Sequence, residues 1–283
     1  MGLPNTPQVK RFISQAIAED LGQGDITTEA LIPKTQRGKA SIVAKADGII
    51  AGVEIARQVF LKVDPELKLA ILIEDGAEVK PGDIVAKIEG RVVSILKVER
   101  VSLNLLQRLS GIASETSQYV RAVKGLPVQI TDTRKTTPGL RTLEKYAVRV
   151  GGGKNHRMHL GDGILIKDNH LAALRHQDLS ITEIVTKARQ KAPPKLKIEV
   201  EVKTPQEAAE AAEAGADIIM LDNMGLEDMR QAVQLIKGRA LIEASGGITI
   251  DKVRAVAETG VGLISIGALT HSVKALDISL ELD

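Results

Sequence analysis

The sequence predicts an α/β chain in two parts, the second a closed barrel of parallel strands wrapped by helices. Three observations carry this. Apolar strand-like runs recur through the second part, several of them joined by well-punctuated helical stretches. Such strands pair in parallel with both faces covered. Residues suited to chemistry stand at the C-terminal ends of many different strands. An open doubly wound sheet gathers its site at one switch point, whereas all strand ends of a barrel open into one mouth. Finally, 283 residues at 43% hydrophobic content suffice for two domains, or for a barrel with an extension.

The first part reaches to about Ala113. It opens with a short helix pattern ending at Leu21-Gly22. Strand-like runs follow at 38–53, 68–90 and 91–96, separated by the turn signals Ala46-Asp47-Gly48, Glu74-Asp75-Gly76 and Lys80-Pro81-Gly82. A helical pattern from about Lys97 to Leu109 closes this part and is expected to end at Ser110-Gly111. The stretch EDGAEVKPGDIVAKIEG (74–90) looks like the hairpins of biotin- and lipoyl-carrier domains. It lacks their exposed-turn lysine flanked by small or Met residues, so it reads as scaffold.

In the second part the strand-like runs are PVQIT, GILIK, LKIEVEV, ADIIMLD, ALIEAS and GLISIG. Thr204 caps a helix with Pro205 at its first position, ending at Gly215. A second helix, LEDMRQAVQLIKG, ends at Gly238, and Thr249 is expected to cap a third that ends at Gly260.

Composition excludes several functions. The net charge of +2 gives no global attraction to nucleic acid, and 1% aromatics with no Trp leaves almost no platform for stacking bases. The absence of Cys removes disulfides, thiolate metal sites and Cys nucleophiles, and is compatible with a cytoplasmic protein. No apolar run reaches a membrane span, and the N-terminus lacks the apolar region of a signal peptide. Residues 1–6 match the myristoylation pattern M-G-x-x-x-T, but nothing polybasic supports it.

The positive charge is local. Residues 131–170 contain Arg134, Lys135, Arg141, Lys145, Arg149, Lys154, Arg157 and Lys167, and four of the chain's five histidines fall between 156 and 176. Arg141, Lys145 and Arg149 form one helical stripe, expected to be a solvated face. Arg134, Lys135, Lys154, His156, Arg157 and Lys167 belong instead to strand ends and a Gly-rich loop, where cations are costly unless they face an anion. The ligand is therefore expected to be polyanionic, with carboxylates, phosphates or both.

Two other readings of the same residues stay open at this point. His156 and His159, with Asp162 and His170, are zinc-ligand types, although Lys154 and Arg157 would crowd a dication. Lys167 or Lys203 stands where a barrel aldolase forms its Schiff base. Glu201 and Asp222 balance the cations and suit Mg2+, ribose hydroxyls or a developing cation. Glu199 shares a strand face with Glu201 and is its rival. The turns in EASGG (243–247) and SIGALTHS (265–272) suit a phosphate.

These stretches occur in one order: TDTRKTTPGLR, GGGxNHRM, DGILIKDNH, EVEV, LDNM and EASGG, preceded by EDLGxGDITT (19–28) and ERVSLNLLQRLSGIA (99–113). The series resembles the quinolinate phosphoribosyltransferase family over nearly the whole chain. The resemblance implies transfer of phosphoribosyl from phosphoribosyl pyrophosphate to quinolinate with decarboxylation, in NAD biosynthesis. It implies an N-terminal α/β sandwich (1–113), then a TIM-like α/β barrel of fewer than eight βα units (114–283), with the last residues returning to the first domain. It also implies a homodimer in which one subunit's N-terminal domain covers the partner's barrel mouth.

By the same resemblance, Arg134, His156 and Arg157 hold the quinolinate carboxylates, and Arg100 reaches in from the partner, with Arg108 its competitor for that role. Lys135 and Lys167 line the pocket between dicarboxylate and pyrophosphate. Glu201 and Asp222 serve the ribose hydroxyls and Mg2+. Ser245, Gly246, Gly247 and Gly267 cradle the 5′-phosphate, with His271 close by. His159 stands where the family often carries Gly. The alternatives are a homologue associated with molybdenum-transport operons, with another substrate, and the Schiff-base aldolase using Lys167.

Overall fold

The structure, a computed structural model, describes residues 6–175 and 179–283. Gly2 of the acylation pattern and His176 lie outside the described residues. The chain divides into two compact units.

The first unit comprises Met1–Ser117, Thr136–Gly152 and Ala268–Asp283. It opens with α1 (Pro7–Leu21) and α2 (Ile26–Leu31), then β1 (Arg37–Ala44), β2 (Gly48–Ile49), α3 (Val53–Val63), β3 (Lys68–Ile71), β4 (Glu78–Val79) and β5 (Ile84–Arg91). Thr6 caps α1, its hydroxyl accepting from Val9 N at 3.3 Å, and Pro7 is pre-shaped for the first turn. Val9, Ile13 and Ile17 form the buried stripe of α1, which packs beside α3. Gly22, at φ 48°, ends the helix where the sequence places its end.

Helix α4 (Val92–Ala122) corrects two expectations. The run at 91–96 is helical from Val92 onward, Arg91 closing β5, because Val92, Ile95 and Val98 are buried at helical spacing and that burial outweighs a weak β preference. The helix also runs through Gly111. A Cβ there would lie 2.3 Å from the Lys274 carbonyl oxygen, so this glycine permits a close backbone approach and is no stop signal.

The second unit comprises Gln118–Lys135 and Gly153–Gly267. Its first strand is β6 (Gln129–Thr131). The chain then contributes α5 (Arg141–Val150) to the first unit. In the second unit follow β7 (Ile164–Ile166), α6 (Asp168–Arg175), α7 (Ile181–Lys191), β8 (Ile198–Val202), α8 (Pro205–Glu213), β9 (Ile218–Asp222), α9 (Leu226–Ile236), β10 (Leu241–Ser245), α10 (Val253–Ala257) and β11 (Leu263–Ser265). The first unit takes back α11 (Ala268–His271) and β12 (Ile278–Leu282).

Helix α5 corrects the solvated-stripe expectation, since Leu143 through Val148 are buried and Lys145 is 0% exposed. Among the described residues of the first unit, a four-stranded antiparallel sheet has the order β12-β1-β5-β3, and β2 pairs with β4.

In the second unit the six described strands are parallel, in the order β6-β11-β10-β9-β8-β7. The first strand lies beside the last, which is the cyclic order of a barrel. The two edge strands are consecutive in the chain, and Lys154 in their connection bridges to Thr131. All six predicted runs are strands. Thr204 caps α8 as expected, its hydroxyl accepting from Glu207 N at 3.1 Å. Thr249 does not cap α10. It opens a turn, its carbonyl accepting from Lys252 and Val253 N, and the helix begins at Val253.

Candidate active site

Alternation along β8 buries Ile198, Val200 and Val202 on one face and turns Glu199 and Glu201 to the other. The register sets Glu201 and Glu243 on either side of Met220, and Asp222 beside Ser245. Carboxylates from β8, β9 and β10 thus share the C-terminal half of the sheet.

The loops carrying the arginines are joined to this frame by buried acids. Asp132, 0% exposed just past β6, accepts from Asn155 Nδ2 at 2.5 Å and from the His156 backbone N–H at 2.9 Å. His156 Nε2 lies 3.2 Å from Glu199 Oε2 and 3.3 Å from Glu243 Oε2. Strands β8 and β10 are separated by β9, so curvature must bring these two carboxylates together. His156 Nδ1 accepts the Arg157 backbone N–H at 2.9 Å, which puts the proton of the neutral ring on Nε2. Burial opposes a charged imidazole, while Glu199 and Glu243 push its pKa upward. The donor at Nδ1 works against a second ring proton.

Arg157 is lowered by its burial and by the charge of Arg134, and supported by Glu199. Its guanidinium also donates to the Gly163 carbonyl at 3.2 Å. Two like charges therefore stand together before any ligand binds, with a buried carboxylate beside them. Lys135 and Lys167 are exposed, Lys167 just past the end of β7. Lys203 pairs with Asp168 at 3.2 Å.

Burial pushes the Glu201 carboxyl upward, as do the charges of Asp222 and Asp168, while Lys167 pulls it down. Crowded carboxylate oxygens suit a hard dication that completes its shell with water and phosphate oxygens, so Glu201 and Asp222 fit Mg2+. Among the described residues, the ligand-type atoms lying within 4.8 Å of one another are those of His156, Glu199 and Glu243. The anticipated set of His159, Asp162 and His170 does not gather around His156. His159 is exposed in a turn closed by Asp162 N to its carbonyl, and His170 Nδ1 accepts from Lys167 N.

Ser245, Gly246 and Gly247 form the turn after β10. Gly246 has φ 96°, and a Cβ there would lie 2.3 Å from Asn223 Oδ1. Gly247, at φ 58°, faces open space. Asn223 binds this turn to β9, its N–H donating to the Ser245 carbonyl and its Nδ2 to Asp222 Oδ2, at 2.9 and 3.0 Å. Gly267 follows β11 in the same unit.

Arg100 and His271 belong to the first unit. Arg100 is exposed on α4, 3.6 Å from Glu99. Arg108 is committed to buried Glu144 at 2.6 Å, to Thr137 Oγ1 at 2.7 Å and to the Thr270 carbonyl at 3.3 Å. His271 is exposed at the end of α11, with Nδ1 2.6 Å from Ser272 Oγ.

Sequence reasoning assigned no role to Asp132, Glu243 or Asn223, and ranked Glu199 below Glu201. The available signal was an acid or amide inside or just past an apolar strand, which must be satisfied once buried.

Residues 25–110 match the quinolinate phosphoribosyl transferase N-terminal domain, and residues 112–281 the C-terminal domain of the same family. A Bacillus subtilis protein described as a probable nicotinate-nucleotide pyrophosphorylase (carboxylating) is 46% identical, covering 98% of this chain and 94% of its own. A Nicotiana glauca protein, quinolinate phosphoribosyltransferase (decarboxylating) 2, mitochondrial, is 42% identical over 98% of this chain and 83% of its own. The crystal structure of NadC from Streptococcus pyogenes superposes with a TM-score of 0.94 at 44% identity, covering 100% of this chain and 99% of that one.

Proposed function

The chain belongs to the quinolinate phosphoribosyl transferase family, and on that premise we infer that it makes nicotinate mononucleotide. It transfers the phosphoribosyl group of phosphoribosyl pyrophosphate to quinolinate with loss of CO2, a step of de novo NAD biosynthesis. The observation that carries this reading is the Arg134–Arg157 pair, a doubled positive charge supported by a buried carboxylate. It matches a dicarboxylate better than a monocarboxylate.

In this reading Arg134 and Arg157 hold and orient the quinolinate carboxylates, with His156 beside them. Lys135 and Lys167 lie between dicarboxylate and pyrophosphate. The pyridine nitrogen attacks C1 of the ribose as the bond from C1 to the pyrophosphate oxygen breaks, its electron pair leaving with pyrophosphate. Glu201 and Asp222 stabilise the positive charge that develops on the ribose. Bound Mg2+, held by Glu201 and Asp222 partly through substrate or water, supplies neutralisation of pyrophosphate charge. The bond from the ring to the 2-carboxylate then breaks, CO2 departs, and the electron pair left on the cationic ring takes a proton. The cationic pocket orients both steps. Ser245, Gly246, Gly247 and Gly267 receive the 5′-phosphate through backbone N–H groups, and the family resemblance assigns His271 to the same group. Support comes from the open space at Gly247.

The proposal includes a homodimer in which Arg100 of each subunit serves the partner's site. In its favour, Arg100 is exposed whereas Arg108 is spent on Glu144 and Thr137. It also includes a cytoplasmic location, and no described helix is long and apolar enough to cross a membrane.

The test is direct. Purified protein with quinolinate, phosphoribosyl pyrophosphate and Mg2+ should release pyrophosphate and nicotinate mononucleotide, and nicotinate should not replace quinolinate. Absence of product, or equal use of nicotinate, would overturn the reading.

A further inference from the structure

Asn223 follows β9 directly, and its backbone is left-handed, at φ 55°. Among the described residues the other non-glycine at positive φ is Lys237, which closes α9, where such caps are common. Asn223 stands instead at the C-terminal end of a strand, beside a carboxylate of the candidate site. An L side chain in this conformation carries steric strain that glycine would escape, and Asn is among the residues that bear it best. Strain kept at such a place points to a use for the side chain.

Asn223 touches two parts of the site. Its Nδ2 donates to Asp222 Oδ2 at 3.0 Å, which leaves Asp222 Oδ1 for a ligand. Its N–H donates to the Ser245 carbonyl at 2.9 Å. Its amide lies against Gly246, where a Cβ would come within 2.3 Å of Oδ1 and 2.4 Å of Cγ. Glycine at 246 is therefore what admits the amide. Asp222 and Ser245 are themselves partners in the register of β9 and β10.

We propose that Asn223 is a positioning residue that locks the Asp222 carboxylate to the turn Ser245-Gly246-Gly247. One fixed spacing then receives both the ribose and the 5′-phosphate of phosphoribosyl pyrophosphate. Asn223 acts through Asp222 and the turn, without touching the reacting atoms. The inference rests on the assignment of that substrate above.

The test compares Asn223→Gly and Asn223→Asp with the wild type in steady-state kinetics, with inorganic phosphate as a competing ligand. Gly keeps the backbone conformation and removes the amide. Asp keeps the size and loses the Nδ2 donor. Each should raise the phosphoribosyl pyrophosphate KM about tenfold, while the quinolinate KM stays within about twofold. The inhibition constant of phosphate should also stay within about twofold, because a ligand that fills only the turn does not span the lock. The urea midpoint of Asn223→Gly should not fall below that of the wild type, which separates positioning from loss of fold.

A phosphoribosyl pyrophosphate KM unmoved in Asn223→Gly would overturn the proposal. So would a wild-type value in Asn223→Asp, which would leave the bond to Asp222 without effect. A matching rise in the phosphate constant would place Asn223 in the phosphate cradle itself, and a matching rise in the quinolinate KM or a lowered midpoint would make its role general. Each of these results overturns it as well. Wild-type turnover of quinolinate is the control. Its absence sinks the assigned activity and the proposal that rests on it, whereas its presence with unmoved variants sinks this proposal alone.

Discussion

Asp132 holds the backbone of His156, its Oδ1 accepting the His156 N–H at 2.9 Å while its other oxygen binds the Asn155 side chain. The two residues lie on different stretches, one at the end of β6 and one in the Gly-rich loop, and a buried acid joins them. Arg134 follows the first stretch and Arg157 the second, so the spacing of the two guanidinium groups depends on this joint. Asp132→Ala is expected to cut quinolinate turnover at least about tenfold and to cost about 1–3 kcal/mol of stability, because buried donors lose their acceptor. Kinetics and urea denaturation would check both.

Arg134→Ala should abolish quinolinate turnover while phosphoribosyl pyrophosphate still binds. Calorimetric titration with each substrate separates the two. Equal loss of both would reassign Arg134 to the phosphate side.

Asp222→Ala should damage turnover through the ribose and Mg2+, leaving quinolinate affinity within about twofold. Its carboxylate also accepts from Asn223, which ties β9 to the Ser245 turn. Wild-type kinetics in this variant would remove Asp222 from the site.

Gly111→Ala tests the first unit. Its Cβ would meet the Lys274 carbonyl at 2.3 Å, so the two backbones must move apart. A cost of about 1–3 kcal/mol is expected despite the better helix propensity of Ala. A lowered urea midpoint with an unchanged slope would show it.

Acid should weaken the first unit through Asp64. Its carboxylate, 1% exposed, accepts Arg91 Nε at 2.8 Å, and that hydrogen bond outweighs burial and holds the group well below the usual carboxylate range. A depressed folded-state pKa stabilises above the unfolded value and is lost as pH falls below about 4. The stability gap between wild type and Asp64→Asn should therefore shrink progressively from about pH 4 downward. A gap unchanged down to pH 2.5 would refute the assignment.

The barrel strands were legible in the sequence, because an apolar run bounded by turn residues has few ways to satisfy both its side chains and its backbone. The Thr204 cap was legible as well, being local chemistry within four residues, although the same signal at Thr249 opens a turn and no cap. The cation-rich loops and the family motifs were legible for the same reason, since each is contiguous. What depends on distant partners emerged only with the folded chain. Gly111 reads as a stop signal until Lys274 arrives against it. Lys145 reads as solvated until α5 is enclosed. Glu199 and Glu201 share one strand face, and alternation cannot rank them. Only the arrival of His156, with Glu243 from a strand two places away, takes Glu199 into the buried frame. Burial and long-range hydrogen bonding are properties of the assembled sheet, and no local window of sequence contains them.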